Sequence, residues 1–174
     1  MAELTRKELI LIIAAVPGDA ELRLAGLDLT GLDLSRLCLK QANFSHSNLQ
    51  QTNLAQADLR GAILEEADLT GADLFQANLQ NAHLQNAILD QANLSGANLS
   101  GARLEQANLR QANLRQAKLW ETELKGANLT GADLRESMLE RADFQDVNLQ
   151  GANLEGAYFK ATRMPDGSIF GLAR

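Results

Sequence analysis

The 174-residue chain contains one cysteine, two prolines and few aromatics, which make up 4% of it. Each shortage excludes something. Cys38 alone leaves no internal disulfide, so packing and backbone hydrogen bonds must hold the fold. Basic residues are outnumbered, 16 Lys and Arg against 22 Asp and Glu, for a net charge of −6. A chain this acidic lacks the electrostatic footprint of a direct nucleic-acid binder. Long apolar runs are missing too: the longest, Leu9 to Val16, falls far short of the roughly 20 residues that cross a bilayer. Reactive groups are sparse, with two histidines, no phosphate loop, no nucleophile elbow and no metal-ligand spacing. The expectation is a protein that is not an enzyme, carries no cofactor or metal, and binds no membrane. What the chain does have is 45% apolar residues, enough for the core of one domain.

Arg6 and Lys7 ahead of the apolar run give the N-terminus an outward likeness to a secretory leader. Glu3 and Glu8 spoil the basic leader, and no clean small-x-small cleavage site follows. Thr5-Arg6-Lys7-Glu8 instead has capping-box spacing, which predicts a short helix over about residues 6–16, stopped by Pro17-Gly18-Asp19. Such a helix is too apolar to stand alone in water. It must lie against something, with the cleaved leader as the alternative.

From Leu24 to Phe159 every fifth residue is Leu or Phe, 28 consecutive positions without exception. Two residues before each, from Ala42 onward, stands a small side chain in nearly every repeat; Ser47, Thr52, Thr122, Ser137 and Val147 replace the usual Ala. Asn or Asp sits between the two in most repeats, and Gly often follows two residues after the Leu, as at Gly61 and Gly131. A period of five fits neither a helix nor plain strand alternation. The chain must therefore turn once per repeat. The small and large residues, two apart, point the same way as in a short extended segment, and the frequent Gly suits a turn that requires positive φ. Four turns close a square of 20 residues, and coils stacked in parallel at about 4.8 Å would make a rod of about 34 Å from seven coils.

This small–Asn/Asp–Leu/Phe–polar–polar/Gly pattern, running from 22 to 162, resembles the pentapeptide-repeat family. The resemblance implies an all-β fold, a right-handed quadrilateral parallel β-helix, with the Leu/Phe and small residues inward and the other three outward. The expected layout is an N-terminal helical cap over 1–21, the β-helix over 22–162 and a closing turn over 163–174. In the first coil Leu22, Leu27, Leu32 and Leu37 occupy the small position, which makes sense if the N-terminal helix covers that end. At the other end Met164-Pro165-Asp166-Gly167 is a turn signal that would fold Ile169 and Phe170 back over the last coil. Similar Pro-Asp-Gly endings resemble those of pentapeptide-repeat proteins of photosynthetic bacteria.

Stacking arithmetic, adding 20 per coil, gathers Trp120, Met138 and Tyr158 on one side of the C-terminal half. They include the only Trp and the only Tyr, and exposed aromatics with Met suit a protein-binding patch. The primary expectation is a cytoplasmic, monomeric scaffold whose partner is another protein. The family also includes binders of DNA gyrase whose acidic rods resemble B-form DNA, so a gyrase modulator acting through Asp28, Asp33, Asp58, Asp68 and Asp73 is the alternative. Across 22–102 acids outnumber bases by 8 to 4, whereas the column Arg103, Glu123, Asp143, Arg163 in the second half is mixed. The gyrase-binding members typically carry a C-terminal helical dimer module, and the ending here, with Pro165, Gly167 and Gly171, leaves no room for a helix of useful length. His46 and His83 fall on one side about 10 Å apart, too far to share a metal ion. Cys38 stacks beneath Asp58, so the stacking position one coil above it offers no basic or histidine partner.

Overall fold

The computed structural model describes residues 5–15 and 22–171. The helix α1 spans Arg6–Ala15 and starts with the reciprocal cap its sequence predicts. The Thr5 N–H donates to Glu8 Oε2 at 2.8 Å, and the Glu8 N–H donates to Thr5 Oγ1 at 3.3 Å. The expected stop at Pro17-Gly18-Asp19 lies outside the described residues. Leu9 is fully buried and Ile13 packs on the same core, while Ile10, Leu11 and Ile12 face outward.

From residue 22 onward the parallel pairing joins each residue to the one twenty further on, from Arg23 with Asn43 to Asp143 with Arg163. Five-residue repeats and a twenty-residue step give four sides. Side one begins with residues 22–26, side two with 27–31, side three with 32–36 and side four with 37–41, each recurring every twenty residues. Among the described residues, two-residue strands are confined to the C-terminal part, because on each side only one residue per coil is bridged before the chain turns.

In a repeat with Asn or Asp at its middle position every backbone N–H has an acceptor, as residues 42–46 show. The Ala42 N–H closes the preceding turn on the Leu39 carbonyl, the Asn43 N–H donates down the rod to the Leu22 carbonyl, and the Phe44 N–H donates up to the Ile63 carbonyl. The His46 N–H reaches the Glu65 carbonyl, again one coil up. That leaves the Ser45 N–H, and Asn43 Oδ1 accepts it at 3.0 Å. The arrangement recurs with Asp as acceptor, for example the Ser35 N–H on Asp33 and the Phe75 N–H on Asp73. The preference for Asn or Asp thus has a structural cause: a short side-chain oxygen must satisfy the one donor that the ladder leaves over.

At each corner the second residue after the Leu has positive φ, and the turn closes by a hydrogen bond across four residues. Positive φ at that position alone is the type II pattern. The frequent Gly of the repeat suggests this turn, and 18 corners take the same conformation with another residue, mostly Gln, Glu, Asn or Arg, at φ between 52° and 60°. The ladder above and below holds them, since the corner N–H, as at Gln91 to the Arg110 carbonyl, is itself a rung.

Inside, one column of Leu or Phe and one of Ala per side fill the bore, and Leu24 to Phe144 are shielded from solvent. Where Ser or Thr replaces Ala, its hydroxyl donates to a backbone carbonyl, as Ser137 Oγ does to Leu134 and Thr122 Oγ1 to Leu99. The first coil is only partly covered. Leu22 is buried, Leu32 and Leu37 pack half-buried on the core, and Leu27 stays 39% exposed, while the polar contacts of α1 fall on side three. There Arg6 forks onto the Asp33 and Ser35 carbonyls and pairs with the Asp33 carboxylate at 2.7 Å. One coil up, the matching carbonyls of Asn53 and Ala55 accept the Leu34 and Arg36 N–H groups. The guanidinium therefore replaces two rungs of an absent coil.

At the far end β1 (Thr162–Arg163) and β2 (Ile169–Phe170) form an antiparallel hairpin pairing Thr162 with Phe170. The turn between them is closed by the Gly167 N–H on the Met164 carbonyl and by Asp166 accepting the Ser168 N–H. The Phe170 ring meets the Phe159 ring edge-on at 5.4 Å. Ile169 and Phe170 themselves stay exposed, so the hairpin touches the final coil without sealing it.

Two substitutions test this account by denaturant unfolding. Leu94→Ala is expected to cost about 3–5 kcal/mol, since the narrow bore cannot collapse around the cavity. Asn108→Ala, which strands the Arg110 N–H, should cost about 1 kcal/mol, whereas Asn108→Asp should hold wild-type stability.

Candidate protein-binding surface

Side four carries the aromatic group. Lys118, Met138 and Tyr158 stack as one column through the pairings Lys118 with Met138 and Met138 with Tyr158. Trp120 stands two residues after Lys118, in the neighbouring outward column. All three apolar side chains are solvent-facing: Trp120 is 46% exposed, Met138 42% and Tyr158 52%. The stacking arithmetic predicts this placement, and the coordinates agree. Beside them lies an open hollow of about 330 Å³ lined by Trp120, Glu140, Arg141, Lys160 and Ala161. Met138 and Tyr158 adjoin the hollow's side of the rod but do not line it. Arg141 and Ala161 escape the sequence reading because they sit at corners; adding 20 and 40 to Glu121 would have found them.

Polar groups around the hollow pair with one another. Arg141 Nη1 lies 2.8 Å from Glu121 Oε1, and Lys160 Nζ lies 3.7 Å from Glu140 Oε1. All four side chains are solvent-accessible, so neither pair contributes much stability.

The five aspartates of the acidic alternative do not form one surface. Asp28 and Asp68 are on side two, Asp33 and Asp73 on side three, and Asp58 on side four. Each accepts the N–H two residues on, which is the repeat's structural bond. Asp33 also pairs with Arg6, and Asp58 with Lys40 and Arg60. Hydrogen bonds from Thr30 hold the Asp28 carboxyl below its usual range, Ser35 does so for Asp33, and the Arg60 guanidinium for Asp58. For Asp68 burial pushes upward, but the Thr70 hydroxyl and the Gln50 amide outweigh it and the net shift is down.

Elsewhere His46 Nδ1 lies 3.3 Å from Glu66, and His83 Nδ1 lies 3.7 Å from Glu65. Each histidine thus has a carboxylate neighbour instead of standing alone on the surface. Cys38 is exposed and pairs with Asp58 in the ladder. Among the described residues, no group of three or more His, Cys, Asp or Glu could hold a metal ion, and no helix is long and apolar enough to cross a membrane. Among the described residues, the one carboxyl held above its usual range is Glu123 on side one, raised first by burial and then by the Glu105 carboxyl beside it. Arg103, 3.7 Å away, pulls it back only in part.

The family model for pentapeptide repeats matches eight copies across residues 38–76, 72–111, 107–146 and 142–164. The chain belongs to the pentapeptide-repeat family, and its architecture is that family's right-handed quadrilateral β-helix. Among solved structures it is 30% identical to HetL, a pentapeptide repeat protein involved in heterocyst differentiation regulation from the cyanobacterium Nostoc sp. strain PCC 7120. That match covers 96% of this chain and 100% of HetL, with a TM-score of 0.38. A pentapeptide repeat protein from the Arabidopsis thaliana thylakoid lumen is 37% identical over 73% of this chain and 71% of its own, with a TM-score of 0.30. QnrB1, a plasmid-mediated fluoroquinolone resistance protein, is 18% identical over 81% of this chain and 84% of its own, with a TM-score of 0.46. No curated protein matches the chain. Membership rests on the repeat match itself.

The raised Glu123 carboxyl fixes the sign of a pH effect. Its folded-state value lies above the unfolded one, so the ionised group opposes folding at neutral pH, and that penalty disappears as pH falls through the folded value. Glu123→Gln is therefore expected to be more stable than wild type at pH 7, with the advantage shrinking once Glu123 protonates. Urea unfolding of both proteins at a series of pH values reads this difference directly.

Proposed function

We propose that this protein is a non-enzymatic, rigid scaffold that binds another protein through Trp120, Met138 and Tyr158. The observation that carries the reading is the concentration of the only Trp, the only Tyr and a Met, all exposed, on one side of a rod whose outward residues are otherwise mainly polar. A flat wall of paired strands offers no deep cleft for chemistry. It offers fixed spacing, which suits a docking surface. In this reading residues 1–21 cap the first coil, 22–162 form the rod of about seven coils, 163–174 close the far end, and the protein acts as a cytoplasmic monomer.

The second reading, a DNA-mimicking modulator of gyrase, draws on the excess of acids over bases, 8 to 4 across 22–102. Against it stand the scatter of Asp28, Asp33, Asp58, Asp68 and Asp73 over three sides and the backbone role each one fills.

The two readings separate in one set of experiments. The Trp120→Ala/Tyr158→Ala variant should lose capture of the partner while keeping the wild-type unfolding midpoint, and the five Asp→Asn changes should leave capture intact. Purified gyrase supercoiling should be unaffected by the wild-type protein. Inhibition at micromolar levels that the Asp→Asn set abolishes would instead establish the gyrase reading.

A further inference from the structure

The charge on the rod is distributed unevenly among its sides. Within residues 22–161, side one carries six acids and three bases, side two three and one, and side three five and three. On side four the bases lead, five to three. Trp120, Met138 and Tyr158 thus lie on the single side where cations prevail. Around them Lys118, Arg141 and Lys160 face Glu121 and Glu140, which leaves one positive charge in excess. In both ion pairs the cation is the more exposed partner, and pairs this open to solvent are weak, so Arg141 and Lys160 are available to a competing carboxylate. The acids of the other sides lie around the corners, where salt screens them over about 8–10 Å.

The backbone of side four is occupied by the ladder, so a partner cannot add to it as a further strand and must bind through side chains. Lys118 and Lys160 stand two coils apart, about 10 Å along the rod, which matches about three residues of extended chain. Met138 lies in the coil between them, and Tyr158 stands in the coil of Lys160.

We propose that side four docks an extended acidic peptide segment in which carboxylates spaced about three residues apart flank an apolar side chain. The carboxylates meet Lys118, Lys160 and Arg141, and the apolar residue packs on Trp120, Met138 and Tyr158. The inference rests on the docking role proposed above and specifies the partner's chemistry. A nucleic acid is disfavoured, since it would bring a charge on every nucleotide toward a rod that is acidic on its other three sides.

Trp120, the only tryptophan, is a built-in reporter. The probes are a soluble peptide of repeated Glu-Leu-Ser, its Lys-Leu-Ser counterpart, and an oligothymidylate of similar length. The Glu peptide is expected to shift Trp120 emission saturably, to weaken several-fold as salt rises from about 50 to about 300 mM, and to lose about tenfold in affinity with Lys118→Glu/Lys160→Glu. Unchanged unfolding of that variant shows that the loss is local. Equal or tighter binding by the Lys peptide or the oligothymidylate overturns the acidic-peptide assignment while leaving a docking surface at Trp120. No response to any probe at millimolar concentration overturns both.

Discussion

The parallel ladder that joins each residue to the one twenty further on fixes the stacking distance of the coils at the spacing of paired strands, and the other regularities answer to it. A bore bounded by sides this short admits one large and one small side chain per side, hence the unbroken Leu or Phe and the Ala two residues before it. The ladder uses three of the five backbone N–H groups in a repeat, and the corner uses a fourth. Where the repeat carries Asn or Asp, the fifth falls to that side chain. Composition, period and hydrogen bonding are thus one constraint seen at three levels.

Such an arrangement is quasi-one-dimensional, and its weak points are its ends. In the middle each coil is satisfied by its neighbours. At the start, Arg6 supplies two donors that a preceding coil would have supplied, and Leu9 covers part of the core. At the finish, Phe170 against Phe159 covers less, and Leu149, Leu154 and Phe159 remain only partly buried. The periodic interior leaves little freedom for function. Variation is permitted where side chains point out, and there the chain departs from Asn, Gln and Ser to place an aromatic and cationic group on side four.

The interior repeats were legible before any coordinates, because a strict period of five with a small residue two before each Leu leaves few ways to arrange a chain. Outward clustering followed by adding 20, which placed Met138 beneath Tyr158 and Cys38 beneath Asp58. The acidic set shows where linear reading stops. Five aspartates look like a surface in a list, yet their residue numbers distribute them over three sides, and each is tied to a backbone donor. Their identity owes as much to hydrogen bonding as to charge.

Period, core residues and the columns of outward neighbours are properties of local spacing, and the amino-acid order alone sets them. The conformation of the corners is different: 18 residues other than glycine take up positive φ, most of them Gln, Glu or Arg, because rungs from the next coil hold positions that their local preference would not select. The same holds for the Arg6 fork, which meets carbonyls 27 and 29 residues away, for the exposure of Leu27, and for the meeting of Arg141 and Ala161 beside Trp120. These depend on which atoms the folded rod brings within hydrogen-bonding or van der Waals reach, and sequence distance does not encode that.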